Sequence, residues 1–307
     1  MRNFIRQLIK SIPNLITTAS LFLAFTSILF CLQSVSSFRK INFFEDNYIG
    51  LAGIFILLSM LFDMLDGFSA RLLKVSSPMG MEMDSLSDFV AFGVAPAVLF
   101  FVVTLLAGIR PSFYNIPDFL KNEHFFIMKL FAFLFPIAAM YRLSRFNIAS
   151  KNDWFCGMPS TFAGGMSALL FSFSFLPVQP DLFFLRFISG LTFLKPLTDT
   201  AVKLHNTATG LLQNYLLLLF CYFFLTFMMV SHFKFFKLHY FLRPLNRNKK
   251  IILLAAITIC GLLSYTVTLL FIASFYLVFS LIYGVLVYPK IIKTKLHDTK
   301  KTPAESY

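Results

Sequence analysis

The chain has 307 residues, of which 58% are aliphatic, aromatic or sulfur-containing and only 13% are charged, and its mean hydropathy is +0.76. This composition excludes an ordinary water-soluble domain, because it includes several separate uncharged stretches, each close to the roughly 20 residues that cross a bilayer. The net charge of +13 does not indicate nucleic-acid binding, since the cations lie in the loops between those stretches. We therefore expect an all-α integral membrane protein.

The apolar stretches predict a bundle of about eight transmembrane helices. In chain order the predicted spans are Leu15–Leu32, Tyr48–Met64, Asp88–Leu106, Phe125–Tyr141, Phe162–Leu176, Leu211–Val230, Ile251–Ser264 and Val267–Val287. The last two form a helical hairpin, because a single helix there would leave the basic tail on the wrong side of the membrane. The short, cation-bearing segment Leu182–Leu194 is expected to be interfacial or re-entrant, and the rest of the segment from Pro177 to Asn206 has no assigned role.

The distribution of Lys and Arg predicts the orientation. With the N-terminus inside, 19 of the 27 basic residues face the cytoplasm, so the positive-inside rule places both termini there, in the cell (inner) membrane. Arg2, Arg6 and Lys10 precede the first apolar stretch, which is long and lacks a small-residue cleavage site, so we expect it to be retained as a helix. The predicted organisation is a membrane domain over residues 1–240, a C-terminal transmembrane hairpin over 241–289 and a basic cytoplasmic tail over 290–307.

The segment from Phe62 to Phe89 contains five of the 14 acidic residues of the chain. At helical spacing one face of the second span presents two carboxylates, two small residues and a guanidinium, which are Asp63, Asp66, Gly67, Ala70 and Arg71. After the turn signal "SSP", a second face presents Gly80, Asp84 and Asp88. Two polar faces can therefore meet across this turn.

Four carboxylates gathered at one place repel each other, by roughly 4 kcal/mol for each pair about 4 Å apart. Arg71 alone cannot neutralise them, whereas a hard divalent ion accepts about six oxygen ligands. We infer a site for Mg²⁺ or Mn²⁺. The small residues Gly67, Ala70 and Gly80 would let a bulky ligand approach, and Arg71 could hold a phosphate. Taken singly, each residue could equally serve helix packing; together they indicate metal-assisted chemistry on a diphosphate.

The full spacing resembles the signature of the CDP-alcohol phosphatidyltransferase family. It reads Asp63-x2-Asp66-Gly67-x2-Ala70-Arg71-x8-Gly80-x3-Asp84-x3-Asp88. The resemblance implies a six-helix membrane core, commonly dimeric, that transfers a phosphatidyl group from CDP-diacylglycerol to an alcohol and releases CMP. It also implies that the four aspartates bind the metal, with two ions expected, and that Asp88 is the base that deprotonates the attacking hydroxyl.

Further segments resemble those of bacterial and archaeal membrane-embedded phosphatidylserine synthases. They are "PNLIT" (Pro13–Thr17), "DSLSDFVAFGVAPA" (Asp84–Ala97), "YRLSRFN" (Tyr141–Asn147), "FCGMPS" (Phe155–Ser160) and "MMVSHFKFFK" (Met228–Lys237). The resemblance implies that Asn14 and Thr17 contribute to CDP-diacylglycerol binding and that L-serine is the acceptor. Serine carries a carboxylate that a guanidinium can bind, so Arg142, Arg145 and Asn147 are candidate acceptor ligands; the arginines could instead be anchors at a helix end.

Three alternatives remain open from the sequence. Another acceptor of the same family, such as glycerol phosphate, inositol phosphate or choline, is compatible with the aspartate motif. A polyprenyl transferase would require two separate Asp-rich motifs, and one is found here. A cation transporter would place its carboxylates near the bilayer midplane, often in inverted repeats, whereas these are predicted at the cytoplasmic edge.

Overall fold

The computed structural model describes six longer segments and part of the C-terminal region. These are residues 2–37, 45–75, 77–109, 124–148, 155–175, 214–235 and 274–282, with the isolated positions 203, 207 and 272. Most of them are helical, as the sequence predicts. The predicted span Ile251–Ser264, the segment Leu182–Leu194 and the basic tail lie outside the described residues.

The described elements are eight helices and two very short strands. They are α1 (Arg2–Ser37), α2 (Glu45–Leu73), α3 (Pro78–Phe89), a π-helical segment (Val90–Val94), α4 (Ala95–Ile109), α5 (His124–Ile148), β1 (Phe155–Cys156), α6 (Ser160–Phe175), α7 (Tyr215–Val230), β2 (Lys234–Phe235) and α8 (274–282). Helix α3, the π segment and α4 form one continuous rod.

Four stretches are long and apolar enough to cross a membrane. They are Ser11–Ser36, Tyr48–Leu73, Pro78–Leu106 and Phe126–Ile148, and α7 is a shorter apolar helix. This confirms an all-α membrane protein. The third predicted span, Asp88–Leu106, lies within the third of these stretches, and its helix begins ten residues earlier at Pro78. There the Ser77 side chain accepts a hydrogen bond from the Gly80 backbone N–H at 3.0 Å, and proline suits the first helical position.

Helices α1 and α2 pack closely through buried serines. Ser20 and Ser59 each donate from the hydroxyl to the backbone carbonyl of the other residue, at 3.0 Å and 2.9 Å. Ser27 donates to the carbonyl of Ala52 at 2.8 Å. Small side chains allow the two helices to approach closely. The hydrogen bonds give the hydroxyls partners that lipid cannot supply. The pair is thereby held in a fixed register, which matters because each helix carries part of the site.

The apolar core centres on Tyr222 of α7, which is fully buried. Its ring stacks on Phe100 of α4 at a centroid distance of 3.8 Å and on Phe135 of α5 at 4.8 Å. Phe171 of α6 meets it edge-on at 5.6 Å. Aromatic contacts of this kind stabilise by more than their buried area alone, so four helices are locked together on one side of the aspartate-bearing segment.

The turn between α2 and α3 brings the two acidic faces together. Lys74 has a φ of +51°, and the Val75 N–H donates to the Ala70 carbonyl at 3.1 Å. A left-handed residue followed by such a bond ends a helix abruptly and reverses the chain. The short connection then leads directly to Ser77 and α3, so the turn predicted from "SSP" is confirmed.

The strands β1 and β2 join two distant segments of the chain. Phe155 is opposite Phe235, and Cys156 is opposite Lys234, in an antiparallel pair. The pairing continues in the loop, where Gly157 N–H donates to the Phe233 carbonyl at 2.8 Å and Met158 N–H to the Met228 carbonyl at 3.0 Å. These contacts tie the start of α6 to the end of α7.

Candidate active site

Three aspartates from two helices converge at the α2–α3 turn. Oxygen atoms of Asp63, Asp66 and Asp84 all lie within 4.8 Å of one another. Asp63 and Asp66 lie one turn apart on α2, and Asp84 is on α3, so the turn creates the cluster. The predicted meeting of two acidic faces is confirmed for these three residues. Among the described residues this is the one group of three or more acidic, histidine or cysteine side chains that lie so close together.

Asp88 extends the cluster by one turn along α3. Its side chain is in hydrogen-bond contact with that of Asp63 and interacts electrostatically with Asp84. All four predicted aspartates are therefore neighbours. Asp88 is adjacent to the tight three-residue group, which distinguishes its position from those of the others.

Thr17 of α1 holds one of these carboxylates in place. Its hydroxyl donates to Oδ2 of Asp66 at 2.7 Å and also contacts the Pro13 carbonyl at 3.1 Å. The Ser87 hydroxyl of α3 donates to the Thr17 carbonyl at 3.3 Å. Both Thr17 and Asp66 are buried, at 5% exposure each. Three helices thus meet at Thr17, and a hydroxyl on a carboxylate fixes which way its oxygens point.

A cavity of about 770 Å³ opens beside the aspartates. Its lining includes Asn14, Thr17, Asp66, Gly67, Ala70, Gly80 and Asp84. All the residues predicted to bind CDP-diacylglycerol except Arg71 therefore line it, together with two of the four aspartates. A methyl group at Gly67 would meet nothing within 4 Å, which means that the cavity approaches the bare helix backbone there. The volume suits a nucleotide-sized ligand.

Lys74 lines this cavity, although the sequence analysis did not single it out. Arg71, the predicted phosphate ligand, is exposed and is not among the lining residues. Lys74 follows the last residue of α2, and its φ of +51° takes it off the helical stripe on which Arg71 was predicted. This cation at the cavity was therefore not predicted from the sequence.

Arg142 of α5 approaches the aspartates from a third direction. The side chain is buried, at 7% exposure, and interacts electrostatically with Asp88 and Asp63. Its Nη1 donates to the Ser160 hydroxyl at 2.9 Å, and the guanidinium lies over the Phe146 ring at 5.2 Å. A buried cation next to carboxylates is the pairing that burial of either charge requires. Ser160, at the start of α6, is a site neighbour that sequence reasoning missed.

Arg145, one turn further along α5, has a different environment. Its guanidinium donates to four backbone carbonyls, those of Cys156 at 2.6 Å, Val230 at 3.1 Å, and Met229 and Ser231 at 3.2 Å. The last carbonyls of a helix have no partner within it, so Arg145 caps α7 and fastens it to β1.

Gly157 makes that arrangement possible. Its φ is +78°, and a methyl group there would collide with the Arg145 guanidinium and lie 2.6 Å from the Met229 carbonyl oxygen. Glycine alone tolerates both the conformation and the contact. We call the assembly of Arg145, Gly157 and the end of α7 the carbonyl latch.

Asn147 lies at the exposed end of α5. Its Nδ2 donates to the Ser85 hydroxyl at 3.0 Å, which connects α5 to the residue after Asp84. Of the three candidate acceptor ligands, Arg142 interacts electrostatically with Asp88 and Asp63, Asn147 is hydrogen-bonded to the residue after Asp84, and Arg145 is engaged in the latch.

The donor set fits a divalent cation. Oxygen ligands of one hard cation lie 2.0 to 2.6 Å from it, so two of them are at most about 5 Å apart, and the cluster of Asp63, Asp66 and Asp84 satisfies this limit. Like charges at this spacing repel one another without a cation. When bound, such an ion would neutralise the oxygens of a diphosphate held in the cavity.

Comparison with known proteins agrees with this geometry. Residues 10–194 match the family model described as CDP-alcohol phosphatidyltransferase, and they include the aspartates, the cavity and Arg142. The chain is 41% identical over 128 residues to the CDP-diacylglycerol–serine O-phosphatidyltransferase of Bacillus subtilis, which is 41% of this chain and 63% of that protein.

Two further relatives come from a yeast and an archaeon. The protein of the same name from Saccharomyces cerevisiae is 34% identical over 154 residues, 47% of each chain. The archaetidylserine synthase of Methanothermobacter thermautotrophicus is 34% identical over 145 residues, 45% of this chain and 53% of that one. The matched region thus spans about half to two thirds of these curated relatives. With more than half of its residues matched by the family model, the chain belongs to the CDP-alcohol phosphatidyltransferase family.

Proposed function

We propose that this chain is a CDP-diacylglycerol–serine O-phosphatidyltransferase, which transfers the phosphatidyl group of CDP-diacylglycerol to L-serine and releases CMP. The supporting observation is the convergence of Asp63, Asp66 and Asp84 within 4.8 Å beside a nucleotide-sized cavity. The names of its relatives in three groups of organisms support serine as the acceptor.

In this proposal the cavity holds the CDP part of the lipid substrate. The backbone at Gly67 and Gly80 lets the diphosphate approach α2 and α3, and Asn14 and Thr17 of α1 bound the cavity on the other side. Lys74 supplies positive charge that a diphosphate requires, with Arg71 as an outer partner. Asp63, Asp66, Asp84 and Asp88 are the proposed ligands of Mg²⁺ or Mn²⁺, two ions being expected.

Asp88 is the proposed base. It takes the proton of the serine hydroxyl, whose oxygen then forms a bond to the phosphorus attached to diacylglycerol. The bond from that phosphorus to the CMP phosphate oxygen breaks, and CMP leaves. A positioned carboxylate in this role contributes about 10²–10⁴-fold to the rate.

Arg142 is the proposed ligand of the serine carboxylate. It is the one of the three candidates that combines burial with proximity to Asp88, so a carboxylate bound to it would bring the serine hydroxyl close to the base. A guanidinium binds a carboxylate through two parallel hydrogen bonds, which fixes orientation as well as position.

The proposed setting is the cell (inner) membrane, with both termini and the site at the cytoplasmic surface, because Lys and Arg are concentrated on that side. CDP-diacylglycerol would reach the cavity laterally from the inner leaflet. A homodimer is proposed as well, on the family resemblance.

The direct test is an assay of purified full-length protein in detergent with CDP-diacylglycerol, Mn²⁺ and labelled serine. The proposal predicts equimolar CMP and labelled lipid, and loss of both on chelation of divalent ions. Release of CMP only with glycerol phosphate, inositol phosphate or choline would assign another acceptor. Cation flux in liposomes without CMP release would refute the enzyme assignment and favour a transporter.

A further inference from the structure

Helix α8 lies 80 residues beyond the last position matched by the family model, which ends at residue 194. One of its faces is docked on the bundle, where Leu277 and Leu281 pack against the main hydrophobic core and Ser280 is 1% exposed. The opposite face, with Phe275 and Ile282, is more than half exposed. The helix therefore presents a defined side to the catalytic half of the molecule.

Tyr276 is on the docked side and reaches the surroundings of Arg142. Its ring packs against Phe162 of α6 at a centroid distance of 4.7 Å. Phe162 is two residues from Ser160, which accepts a hydrogen bond from Arg142. The phenol oxygen also interacts electrostatically with the Arg142 guanidinium. Ser160 is thus hydrogen-bonded to a buried cation with which Tyr276 and two of the aspartates interact electrostatically.

The chemistry of a phenol suits this position. A guanidinium has five N–H donors, and a bound carboxylate uses two of them, so donors remain for neutral acceptors. A hydroxyl can accept a hydrogen bond from one of these N–H groups without cancelling the positive charge of Arg142. A further carboxylate would instead compete with the substrate carboxylate for the guanidinium. Without such neutral partners the attraction to Asp88 and Asp63 would draw the guanidinium onto the aspartates.

We propose that Tyr276 is a positioning residue, which together with Ser160 holds the Arg142 guanidinium in the orientation that binds the acceptor's carboxylate. The C-terminal helix, outside the segment common to the family model, thereby sets the affinity for serine. This inference rests on the proposed function, in particular on Arg142 as the acceptor ligand.

The kinetic test compares Tyr276→Phe with wild type and with the control Phe275→Leu on the exposed face. Tyr276→Phe keeps the packing on Phe162 and removes the hydroxyl, so the KM for serine should rise about tenfold, the usual effect of losing a hydrogen bond to a charged group. The KM for CDP-diacylglycerol and the melting temperature should not change. Phe275→Leu should leave all three quantities at wild-type values.

A second measurement does not depend on turnover. In a background without the native cysteines, the pair Phe162→Cys and Tyr276→Cys should cross-link readily on oxidation or with a short bismaleimide. The pair Phe162→Cys and Phe275→Cys should not, because residue 275 faces away. Equal cross-linking of the two pairs would overturn the placement of α8, and with it the inference.

The outcomes separate the inference from the proposed function. If wild type transfers the phosphatidyl group to serine but Tyr276→Phe leaves the serine KM unaltered, the proposed function stands and the positioning role is refuted. A fall in kcat and melting temperature with no change in the serine KM would also refute it, since that pattern reflects folding. If wild type uses only an acceptor without a carboxylate, both are refuted.

Discussion

Arg142 and Arg145 lie one helical turn apart on α5, yet they belong to two differently built regions. Arg142 faces carboxylates and a hydroxyl in the aspartate site, where its charge is matched by opposite charge. Arg145 faces four carbonyl oxygens in the carbonyl latch, where its charge is met by dipoles alone. In the proposed function the first region binds a charged substrate, whereas the second joins helices. Under that proposal the same residue type serves substrate recognition in one place and helix packing in the other.

The largest loss of activity without a change in the carbonyl latch is expected from Asp88→Asn. The amide keeps the shape of the side chain but cannot take a proton, so kcat for serine transfer should fall by about 10²–10⁴-fold. Binding of CDP-diacylglycerol, measured by titration in detergent, should persist. An Asn variant with wild-type turnover would remove Asp88 from the role of base.

In the carbonyl latch, the largest loss of stability is expected from a substitution at Gly157. Gly157→Ala forces a side chain into a left-handed conformation and against the Arg145 guanidinium, and we expect a loss of about 2–4 kcal/mol in stability. Thermal unfolding monitored in detergent measures it. Among molecules that remain folded, the KM for CDP-diacylglycerol should be unchanged, and a variant as stable as wild type would show that the latch has room to adjust.

The two arginines can be compared directly with Arg142→Lys and Arg145→Lys. Both variants keep the charge but lose the planar fork. Arg142→Lys should raise the KM for serine about tenfold with little change in melting temperature. Arg145→Lys should do the reverse, lowering stability by about 1–3 kcal/mol at an unchanged KM. The same response from both variants would contradict the division into two regions.

The smallest effect is expected at Gly67, which lines the cavity and, unlike Gly157, has room for a methyl group. Gly67 has open space around it, so Gly67→Ala should raise stability by up to about 1 kcal/mol through helix propensity. The added methyl group projects into the cavity and should raise the KM for CDP-diacylglycerol a few-fold. A tighter-binding Gly67→Ala variant would argue that the ligand lies elsewhere.

The aspartate site was accessible from sequence because its residues are local. Asp63, Asp66, Asp84 and Asp88 lie on two helices joined by one short turn, so helical spacing alone predicts their meeting. Lys74 was missed because it follows the end of α2 in a left-handed turn, where a helical stripe is not expected to continue.

The carbonyl latch and the surroundings of Arg142 depend on contacts between segments that are distant in the sequence. Three of the four partners of Arg145 lie 84 to 86 residues away at the end of α7, and nothing in "RLSRFN" distinguishes it from Arg142. Ser160 meets Arg142 only through the packing of α6, and Tyr276 meets Phe162 only through the packing of α8. The apolar pattern predicts that these helices exist, but it does not predict which of their residues face one another, because nearly every position is hydrophobic.

The π-helical segment Val90–Val94 begins two residues after Asp88 and precedes the apolar end of the same rod. A π turn holds one more residue than an α turn, so the two ends of the rod are rotated by about 100° relative to an uninterrupted helix. Winding these same residues as an α-helix, with none removed, would swing the carboxylates away from their partners on α2 while Phe100 stays in the aromatic core. The one additional residue therefore sets a fixed angle between the carboxylates at one end of the rod and the apolar side chains at the other.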